Sequence, residues 1–410
     1  MNTPLNDAQA VDAYSHYVLG NYGPQPCTLT RGEGAYVWDA EGNKLLDFGT
    51  GIAVTSLGHS HPHWTETVQT QLGKLVHCSN LYRNKPQARL ASRLCGYAGP
   101  GKVLFCNSGA EANEALIKLA RLHGRAKTGE EGKCYRVLTA TNAFHGRTFG
   151  AMAATPQEKI QGGFRPMLDG FAYGTLNDLA SFEALIDETT AGIMVESVQG
   201  EGGIYPASVP FLRGLRQLCD DKGLLLLIDE VQCGIGRTGR FFAYQESGIE
   251  PDAIGMAKGL GGGIPIGAVW MRDAWAELFT PGSHGTTFGG NPLVCAAANA
   301  VLDVLEDERL IEKVATQSKP WLNRLKALER KFPQLVAEVR GRGYMVGIAL
   351  KVDHLPIIAR LRERGLLVVP TAGQVIRLLP PLIATFEQLD HAVDLLVAAF
   401  SECNHEEGCS

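Results

Sequence analysis

The feature of this sequence that most restricts its fold is a regular alternation of short apolar runs with amphipathic helical segments. Each run has the length of a strand, and the segments between the runs place apolar residues at helical spacing. The order is strand at 103–106, helix at 111–123, strands at 137–141 and 193–197, helix at 211–220 and strand at 224–228. This pattern predicts β–α units that form a mostly parallel sheet covered by helices on both faces.

The character of the sequence changes near Asn291, which predicts a second domain. A long helix is expected at 293–305 and a charged helix up to about residue 331. Short strands at 345–350, 366–369 and 375–379 then alternate with helices at 356–364 and 386–400. A chain of 410 residues is long enough for two cores. The sequence therefore predicts a large α/β domain over 56–292, a small α+β domain over 293–410, and short strands and turns over 1–55 that pack against the small domain.

Composition and charge exclude several classes of function. A net charge of −5 with no basic block gives no surface for nucleic acid. The longest aliphatic run, residues 224–228, is too short to cross a membrane. No secretion signal precedes the first acidic residues, and the ten cysteines are scattered without a C-x-x-C pair. We therefore expect free thiols and a cytoplasmic location.

Two glycine-rich segments look like nucleotide-binding loops. Residues 96–103 nearly match G-x-x-x-x-G-K-[ST], but Val103 replaces the hydroxyl that binds Mg²⁺, and the glycines precede a strand. Residues 234–239 match G-x-G-x-x-G, but residues 229–233 separate them from the strand and no useful amphipathic helix follows. Neither segment predicts an ATPase or a nicotinamide enzyme.

Lys258 and Asp229 each follow a predicted strand, on the edge of the sheet where ligands bind. Lys258 precedes the glycine cluster 259–263, so no side chain blocks the approach of a ligand. Asp229 needs a cationic partner, such as a pyridinium N–H, because burying an unpaired carboxylate costs several kcal/mol. Taken singly, Lys258 would more often be a surface lysine and Asp229 a local cap or salt bridge.

The segment 107–114 leads from a strand into a helix and contains a candidate anion site. Ser108 and Glu111 fit a capping box. The amides of Gly109 and Ala110 would point outward at the helix N-terminus, where phosphate binds readily. Capping explains Ser108 and Glu111, but it does not explain the small residues between them.

Six motifs occur along the chain in a fixed order. They are Ser108-Gly-Ala-Glu-Ala-Asn113, Phe144-His-Gly-Arg147, Gln199-Gly-Glu-Gly202, Asp229-Glu-Val-Gln232, Lys258-Gly-Leu-Gly-Gly-Gly263 and His284-Gly-Thr-Thr-Phe-Gly-Gly-Asn-Pro292. The series, between Gly32 and Pro381, resembles the class III aminotransferases, which depend on pyridoxal 5′-phosphate (PLP), and most closely those acting on acetylornithine and related ornithines. The resemblance implies the fold-type I architecture, with a seven-stranded, mostly parallel sheet in the large domain and a small α+β domain.

The resemblance also implies roles for the matching residues. Lys258 would hold PLP as a Schiff base and later move the substrate proton, Asp229 would pair with the pyridine nitrogen, and Phe144 would stack on the ring. The other cofactor-binding residues that it implies are Ser108, Gly109, Ala110, Glu230, Val231, Gln232 and Thr287. Gln232 would lie near the phenolic oxygen of the ring. Thr287 would reach the phosphate bound by the neighbouring subunit, which implies a homodimer with shared active sites.

Two positions depart from the family pattern. Many relatives carry Thr where this chain has Ala110, so one hydroxyl contact to the phosphate is in doubt. Ser197 stands where many relatives carry Pro, a change that the sequence does not explain.

Two arginines would bind the substrates. Arginine is usually a surface residue, but in the family Arg147 and Arg377 both bind carboxylates through paired hydrogen bonds. Glu201 resembles the glutamate that neutralises Arg377 when the amine has no carboxylate at that end, and Thr286 joins the predicted substrate site. The resemblance implies transamination between N2-acetylornithine and 2-oxoglutarate, which gives N-acetylglutamate 5-semialdehyde and glutamate.

Other substrates and functions stay open at this point. Ornithine, succinylornithine and 4-aminobutyrate are alternative donors, because a missing methylene changes discrimination by only about 1–3 kcal/mol. A PLP-dependent aminomutase has the same fold but needs no second carboxylate-binding arginine such as Arg377. A PLP-sensing domain of a transcription regulator would need a DNA-binding extension, and neither terminus has the length or basic charge for one.

The triple His59-Ser-His61-Pro-His63 has the composition of a metal site. Pro62 disfavours a regular strand that would align the rings, and no cysteine or carboxylate cluster is near in sequence. We expect no metal there.

Overall fold

Seventeen strands and fourteen helices make up the part of the chain that the computed structural model describes, residues 5–23 and 25–403. The strands are β1 (Leu29–Glu33), β2 (Tyr36–Asp39), β3 (Lys44–Asp47), β4 (Lys102–Cys106), β5 (Arg136–Ala140), β6 (Phe171–Gly174), β7 (Thr190–Glu196), β8 (Val198–Gln199), β9 (Tyr205–Pro206), β10 (Leu225–Asp229), β11 (Ala253–Met256), β12 (Gly267–Met271), β13 (Val336–Arg342), β14 (Met345–Leu350), β15 (Leu366–Leu367), β16 (Val369–Thr371) and β17 (Val375–Leu378). The helices are α1 (Asp7–Tyr17), α2 (Thr50–Ala53), α3 (Pro62–Leu72), α4 (Lys85–Ala98), α5 (Gly109–Thr128), α6 (Phe149–Ala153), α7 (Glu158–Gln161), α8 (Leu179–Glu183), α9 (Val209–Lys222), α10 (Asp273–Ala276), α11 (Pro292–Asp307), α12 (Leu310–Lys331), α13 (Leu355–Glu363) and α14 (Phe386–Cys403).

The largest sheet has seven strands in the order β4-β12-β11-β10-β7-β5-β6. Only β12 runs antiparallel to its neighbours, so six strands share one direction. Every residue of β7, β10, β11 and β12 is buried, which explains why these strands are apolar without alternation. The mostly parallel, seven-stranded α/β architecture predicted from the sequence is confirmed.

The helices that cover this sheet begin and end at recognisable capping residues. Ser108 caps α5 by accepting a hydrogen bond from the amide of Glu111, and α5 ends at Gly129, whose φ is 76°. Ser208 caps α9 in the same way, and α9 ends at Gly223 in the left-handed conformation. A serine before the first turn and a glycine after the last one satisfy backbone groups that the helix itself leaves unpaired.

Two smaller four-stranded sheets lie outside the large sheet, and one of them connects the beginning of the chain with its end. Strands β13-β14-β17-β16 form one sheet, and β1-β2-β3-β15 form the other. In the second sheet β15 pairs in parallel with β3, with Leu366 opposite Leu46. The predicted strand at 366–369 is therefore two short strands that belong to different sheets. The domain boundaries proposed from the sequence stay a prediction.

The expectation of only strands and turns over residues 1–55 is wrong at residues 7–17, which form helix α1. The side chains of Asn6 and Gln9 close a capping box at its start. None of its residues is buried. Because the helix has no apolar face packed on a core, the sequence has no helical periodicity there to detect. Across 5–23 and 25–403, no helix combines the length and the apolar composition that a bilayer-spanning segment requires.

Helix α2 is a single turn in which all four residues have positive φ, between 45° at Thr50 and 64° at Ile52. This left-handed conformation costs about 1–2 kcal/mol per non-glycine residue. Two contacts hold it in place. The carboxylate of Asp47 accepts hydrogen bonds from the amides of Gly49 and Thr50, and the Thr50 hydroxyl donates to the carbonyl of Leu379 at 2.9 Å. The turn leads directly into Val54, which lines the main cavity.

Helix α5 lies unusually close to the chain that enters β5. A Cβ atom placed on Gly124 would lie 1.8 Å from the carbonyl oxygen of Cys134. Gly96, inside α4, has open space at the same position. The two glycines are thus in similar helical backbones but in opposite packing environments.

We expect Gly124→Ala to destabilise the protein by about 1–3 kcal/mol, because the backbone at Cys134 has to move. Gly96→Ala is the matched control, and it should stabilise the protein by up to about 1 kcal/mol through the higher helix propensity of alanine. Denaturant unfolding at one protein concentration measures both changes. Equal effects of the two substitutions would contradict the close packing of α5.

Candidate active site

The carboxyl ends of five parallel strands deliver side chains, most of them polar, to one cavity of about 420 Å³. This edge is where ligands bind in open α/β sheets. The residues that follow or end these strands and line the cavity are Asn107 and Ser108 after β4, Phe144 after β5, Glu196 on β7, Asp229 on β10 and Lys258 after β11.

Asp229 has the most extensively hydrogen-bonded side chain of the cavity. The residue is only 3% exposed. Its Oδ2 atom lies 2.7 Å from Nδ2 of Asn113 and 2.7 Å from Nδ1 of His145, and Oδ1 accepts from the amide of Val231 at 2.9 Å. Burial lowers the pKa of His145, but the hydrogen bond and the charge of Asp229 outweigh burial, so the pKa lies above its ordinary value. The site therefore holds a carboxylate that three hydrogen-bond donors fix in orientation.

Lys258 points its amine into the cavity from the end of β11. Its φ of 38° is in the left-handed region, which is uncommon for lysine. No hydrogen bond or ion pair joins the amine to another residue within the described ranges. Burial lowers the pKa of Lys258; Glu201 and Asp229 oppose this effect and Arg377 adds to it. The balance raises the share of neutral, nucleophilic amine.

The N-terminus of α5 forms one wall of the cavity. Gly109 and Ala110 line it, directly after the Ser108 cap. A Cβ atom on Gly109 would lie 2.6 Å from Cγ1 of Val231, so only glycine allows the helix to pack this closely on that residue. The free amides of this first turn face a site with space for an anion.

Two arginines near the cavity have very different environments. Arg147 lines the cavity, is exposed, and has its guanidinium carbon 5.7 Å from the centroid of the Phe144 ring. Arg377 is fully buried, and its Nη1 atom donates to Oε1 of Glu201 at 2.5 Å and to Oε1 of Gln232 at 2.9 Å. Its Nε and Nη2 atoms have no hydrogen-bond partner among the residues that the structure describes. One arginine is therefore open to a ligand, whereas the other is neutralised inside the protein.

Glu201 holds this internal pair in the charged state. Burial raises the pKa of Glu201, but the charge of Arg377 and the hydrogen bond between them lower it by more, so the pKa lies below its ordinary value. The Glu201 side chain is 26% exposed, while that of Arg377 is not exposed at all. Glu201 is thus the member of the pair that has room to move.

Most of the residues selected from the sequence line the cavity. They are Ser108, Gly109, Ala110, Phe144, Arg147, Asp229, Val231, Gln232 and Lys258. Glu201 and Arg377 lie behind Gln232 and contact it. Thr286 does not line the cavity, but its hydroxyl accepts from Asn107 at 3.1 Å. Thr287 is exposed and away from the cavity lining.

Glu230, which the sequence analysis grouped with the cofactor-binding residues, faces away from the cavity. Its buried carboxylate accepts from the Ser197 hydroxyl at 2.6 Å and from the amides of Ala243 and Tyr244 at 2.9 and 3.0 Å. Burial raises the pKa of Glu230 despite these hydrogen bonds. The contact gives Ser197 a physical role that the sequence did not reveal, because a proline at this position would remove the hydroxyl donor and leave the Cys233 thiol, 3.4 Å away, as the side-chain donor to the carboxylate.

Sequence reasoning missed Asn113, His145 and Glu196, which line the cavity beside Asp229. Glu196 accepts from the amides of Phe144 and Gly200, at 3.1 and 3.2 Å. It ends β7 directly opposite Asp229, which ends β10. The signal that identified Asp229, an acidic residue after a buried apolar run, was therefore present at Glu196 as well.

The three histidines of the His-x-His-x-His segment do not meet at one point. His59 pairs with Asp47 at 2.8 Å, His61 with Glu308 at 3.0 Å, and His63 lies 3.4 Å from Asp303. Among residues 5–23 and 25–403, no group of three or more ligand side chains could hold a metal.

Comparison with known families agrees with this arrangement. The family model described as "Aminotransferase class-III" matches residues 17–400. The chain belongs to the class III aminotransferases. This confirms the resemblance drawn from the six motifs.

Relatives of this class III aminotransferase match it over nearly its full length. It is 46% identical over 387 residues to the acetylornithine aminotransferase of Caldanaerobacter subterraneus subsp. tengcongensis, covering 94% of this chain and 98% of that protein. It is 47% identical over 381 residues to the acetylornithine aminotransferase of Aquifex aeolicus, and the match covers 93% of this chain and 98% of that protein. The crystal structure of an ornithine aminotransferase from Toxoplasma gondii ME49 superposes with a TM-score of 0.94 at 32% identity. The superposition covers 99% of this chain and 97% of that one.

The buried Glu196 generates a prediction for the stability of this aminotransferase. Burial raises the pKa of Glu196 to about 7, with His145 opposing the rise and Asp229 adding to it. Between the unfolded pKa of 4.5 and pH 7 the folded state holds a proton that the unfolded chain releases. The stabilisation from this group is therefore complete below pH 4.5 and is lost as pH rises through 7.

We expect wild type to lose stability relative to Glu196→Gln by about 1 kcal/mol per pH unit across that window, because glutamine cannot ionise. Denaturant unfolding of the cofactor-free protein from pH 5 to 8 measures the difference. Glu66→Gln, on the exposed side of α3, is the control and should run parallel to wild type. Parallel curves for wild type and Glu196→Gln would show that Glu196 is ionised in the folded state throughout.

Proposed function

We propose that the protein transfers the δ-amino group of N2-acetyl-L-ornithine to 2-oxoglutarate, which gives N-acetyl-L-glutamate 5-semialdehyde and L-glutamate. The observation that carries the proposal is the buried Arg377, neutralised by a partly exposed Glu201 close to Lys258, together with a second, open arginine, Arg147. Such a site suits two substrates that differ in their number of carboxylates. The names of the two acetylornithine aminotransferases described above support the choice of donor.

The residues of the cavity fit PLP as the cofactor. They offer an amine at Lys258 without a partner in the described residues, a hydrogen-bonded carboxylate at Asp229, the free amides of Gly109 and Ala110 for a phosphate, and the face of Phe144 for a ring. When bound, PLP supplies an electron sink that stabilises negative charge on the substrate carbon. Lys258 would hold the cofactor covalently, and Val231 and Gln232 would contact its ring.

The protein's own groups then position and move protons. Asp229, fixed by Asn113 and His145, would keep a proton on the ring nitrogen of the cofactor by offering it a charged acceptor. The Nζ atom of Lys258 would take a proton from the substrate carbon and return it, since its lowered pKa favours the neutral amine.

The two arginines would divide the recognition of substrates. With acetylornithine, the α-carboxylate reaches Arg147 while Glu201 stays on Arg377. With glutamate, the side-chain carboxylate takes Arg147 and the α-carboxylate displaces Glu201 from Arg377. A guanidinium binds a carboxylate by two parallel hydrogen bonds, and the unpartnered Nη2 and Nε atoms of Arg377 leave donors for the second one.

Acylation of the donor removes a charge that this cavity does not accommodate. The only acidic side chains that line the cavity, within the described residues, are Glu196 and Asp229, and both end buried strands. The α-ammonium of free ornithine would therefore sit near Arg147 without a carboxylate partner, at a cost of a few kcal/mol. 4-Aminobutyrate carries its carboxylate closer to the reacting amine, which would strain its contact with Arg147.

A homodimer with shared active sites is part of the same proposal. Thr287 is exposed, and its neighbour Phe288 is 60% exposed. Leu81 and Tyr82, next to the Asn80 that contacts the carbonyls of Thr286 and Gly289, are 85% and 69% exposed. A second copy of the chain covering this apolar surface would bring Thr287 to the neighbouring phosphate site. We also propose the cytoplasm as its location, since the eight cysteines from Cys27 to Cys295 are free thiols.

We expect Lys258→Ala to reduce turnover by at least about 10²–10⁴-fold, the contribution of a positioned acid–base group. In wild type, borohydride reduction should attach the cofactor to the peptide that contains Lys258, as measured by mass spectrometry. Lys326→Ala, on the exposed side of α12, is the control and should label and turn over normally. Labelling of another lysine, or full activity of Lys258→Ala, would contradict the assignment.

We expect acetylornithine to give a higher kcat/KM than ornithine or 4-aminobutyrate, with 2-oxoglutarate as acceptor. Arg147→Lys should raise the KM of both acetylornithine and glutamate, because a point charge cannot replace the paired hydrogen bonds. Arg377→Lys should impair only the glutamate half-reaction. Steady-state kinetics of each half-reaction measure these effects. A preference for free ornithine, or equal damage to both halves by Arg377→Lys, would contradict the proposal.

A further inference from the structure

The loop Cys233–Gly239, whose residues 234–239 resembled a dinucleotide-binding loop in the sequence, packs instead against the C-terminal part of the chain. A Cβ atom on Gly236 would lie 3.2–3.3 Å from side chains of Leu382 and Ile311, and one on Gly239 would lie 2.9 Å from the backbone of Ala315. Both glycines have φ near 85°. The glycines therefore serve close packing between two parts of the fold.

Arg237, in the middle of this loop, is only 1% exposed. Its carbonyl accepts a hydrogen bond from the amide of Tyr344 at 2.9 Å. Its Nη1 atom donates to the carbonyl of Pro380 and lies 3.4 Å from the carbonyl of Tyr344. One arginine thus contacts the carbonyl just before β14 and a carbonyl two residues after β17.

These two carbonyls lie at the end of the β14–β17 ladder. Val346 pairs with Leu378 in that ladder, so the same register places Tyr344 opposite Pro380. Proline has no amide hydrogen, so Pro380 cannot donate to Tyr344. Arg237 supplies the missing partners, since its carbonyl accepts from the Tyr344 amide and its guanidinium reaches both carbonyls.

This arrangement places a cation where burial is costly. No carboxylate forms an ion pair with Arg237 within the described part of the chain. Burial lowers the pKa of Arg237 to about 10, and Nη2 has no partner. An apolar side chain would avoid this cost but could not bridge the two carbonyls. Position 237 therefore needs a side chain with hydrogen-bond donors for these two carbonyls, which an apolar residue does not have.

The strand that Arg237 holds is the one that carries Arg377. Arg377 lies on β17, three residues before Pro380, and its Nη1 atom donates to Gln232, the residue just before the loop. The connection after β10 therefore contacts β17 at two points, one at Arg377 and one at Pro380. We propose that Arg237 is a positioning residue, which fixes the end of β17 so that the guanidinium of Arg377 meets the α-carboxylate of glutamate or 2-oxoglutarate. This inference rests on the proposed function for the role of Arg377.

The test compares the two half-reactions in Arg237→Met, which keeps the bulk of the side chain but has no donor. We expect the KM of glutamate and of 2-oxoglutarate to rise about tenfold or more, because the carboxylate contact of Arg377 is misaligned. The KM of the amino donor, which does not use Arg377, should change by less than about twofold. Amide hydrogen exchange of residues 375–382 in the cofactor-free protein should become faster, a readout independent of activity.

Gln317→Leu is the matched control at the same corner of the fold. The Tyr344 hydroxyl donates to Oε1 of Gln317 at 2.7 Å, so this variant removes a partly buried hydrogen bond but leaves the Arg237 bridge intact. It should lower the denaturation midpoint without changing the ratio of the two KM values. If Arg237→Met fails to fold, Arg237→Lys replaces it, and its single donor group should give a smaller rise in the same KM values.

An equal rise of both KM values in the Arg237 variant, or a shifted ratio in Gln317→Leu, would overturn the positioning role. Failure of the proposed function is recognised separately, in wild type, by a preference for a donor other than acetylornithine. The comparison of half-reactions can then still be made with the donor that wild type accepts, since the role of Arg237 concerns the glutamate half alone.

Discussion

The arrangement of the cavity depends on the buried carboxylate of Asp229. It accepts hydrogen bonds from Asn113 on α5, from His145 after β5 and from the amide of Val231 after β10. A charge buried this deeply is stable only when its oxygens have donors, since each missing one costs about 1–3 kcal/mol or more. The three donors belong to three separate segments. By satisfying one carboxylate, the fold fixes a helix and two connections relative to one another at the edge of the sheet.

Three arginines show how differently a cation can be accommodated in this protein. Arg147 is exposed and lines the cavity. Arg377 is buried, and its charge is balanced by Glu201. Arg237 is buried, and among residues 5–23 and 25–403 its guanidinium bonds to carbonyls and to no carboxylate. Arg147 is therefore open to a ligand, whereas a ligand of Arg377 would have to displace Glu201. Arg237 instead joins two parts of the backbone.

The sequence predicted the elements whose burial is visible as a pattern. β7 and β10 were found because they are apolar throughout, and Asp229 was found because it ends such a run. Helix α1 was not found, since no residue of it is buried. The direction in which a side chain points could not be predicted from the sequence either. Glu230 follows Asp229 directly, but alternation along the strand turns it toward Ser197 and away from the cavity. Contacts between distant segments, such as Arg237 with Pro380, have no local signal at all.

Because of the left-handed turn Thr50–Ala53, one wall of the cavity depends on residues that are synthesised near the end of the chain. The turn leads to the cavity wall at Val54. The Thr50 hydroxyl holds the turn by donating to the carbonyl of Leu379, 329 residues further along the chain. Strand β3, just before the turn, likewise pairs with residues 366 and 367. Since the turn is costly and Asp47 is its only nearby anchor among the contacts described above, we expect this wall to become stable on the ribosome only after almost the whole polypeptide has emerged. A nascent chain that already contains Asp229 and Lys258 is therefore still an incomplete enzyme, and its N-terminal segment has to wait for the last strands.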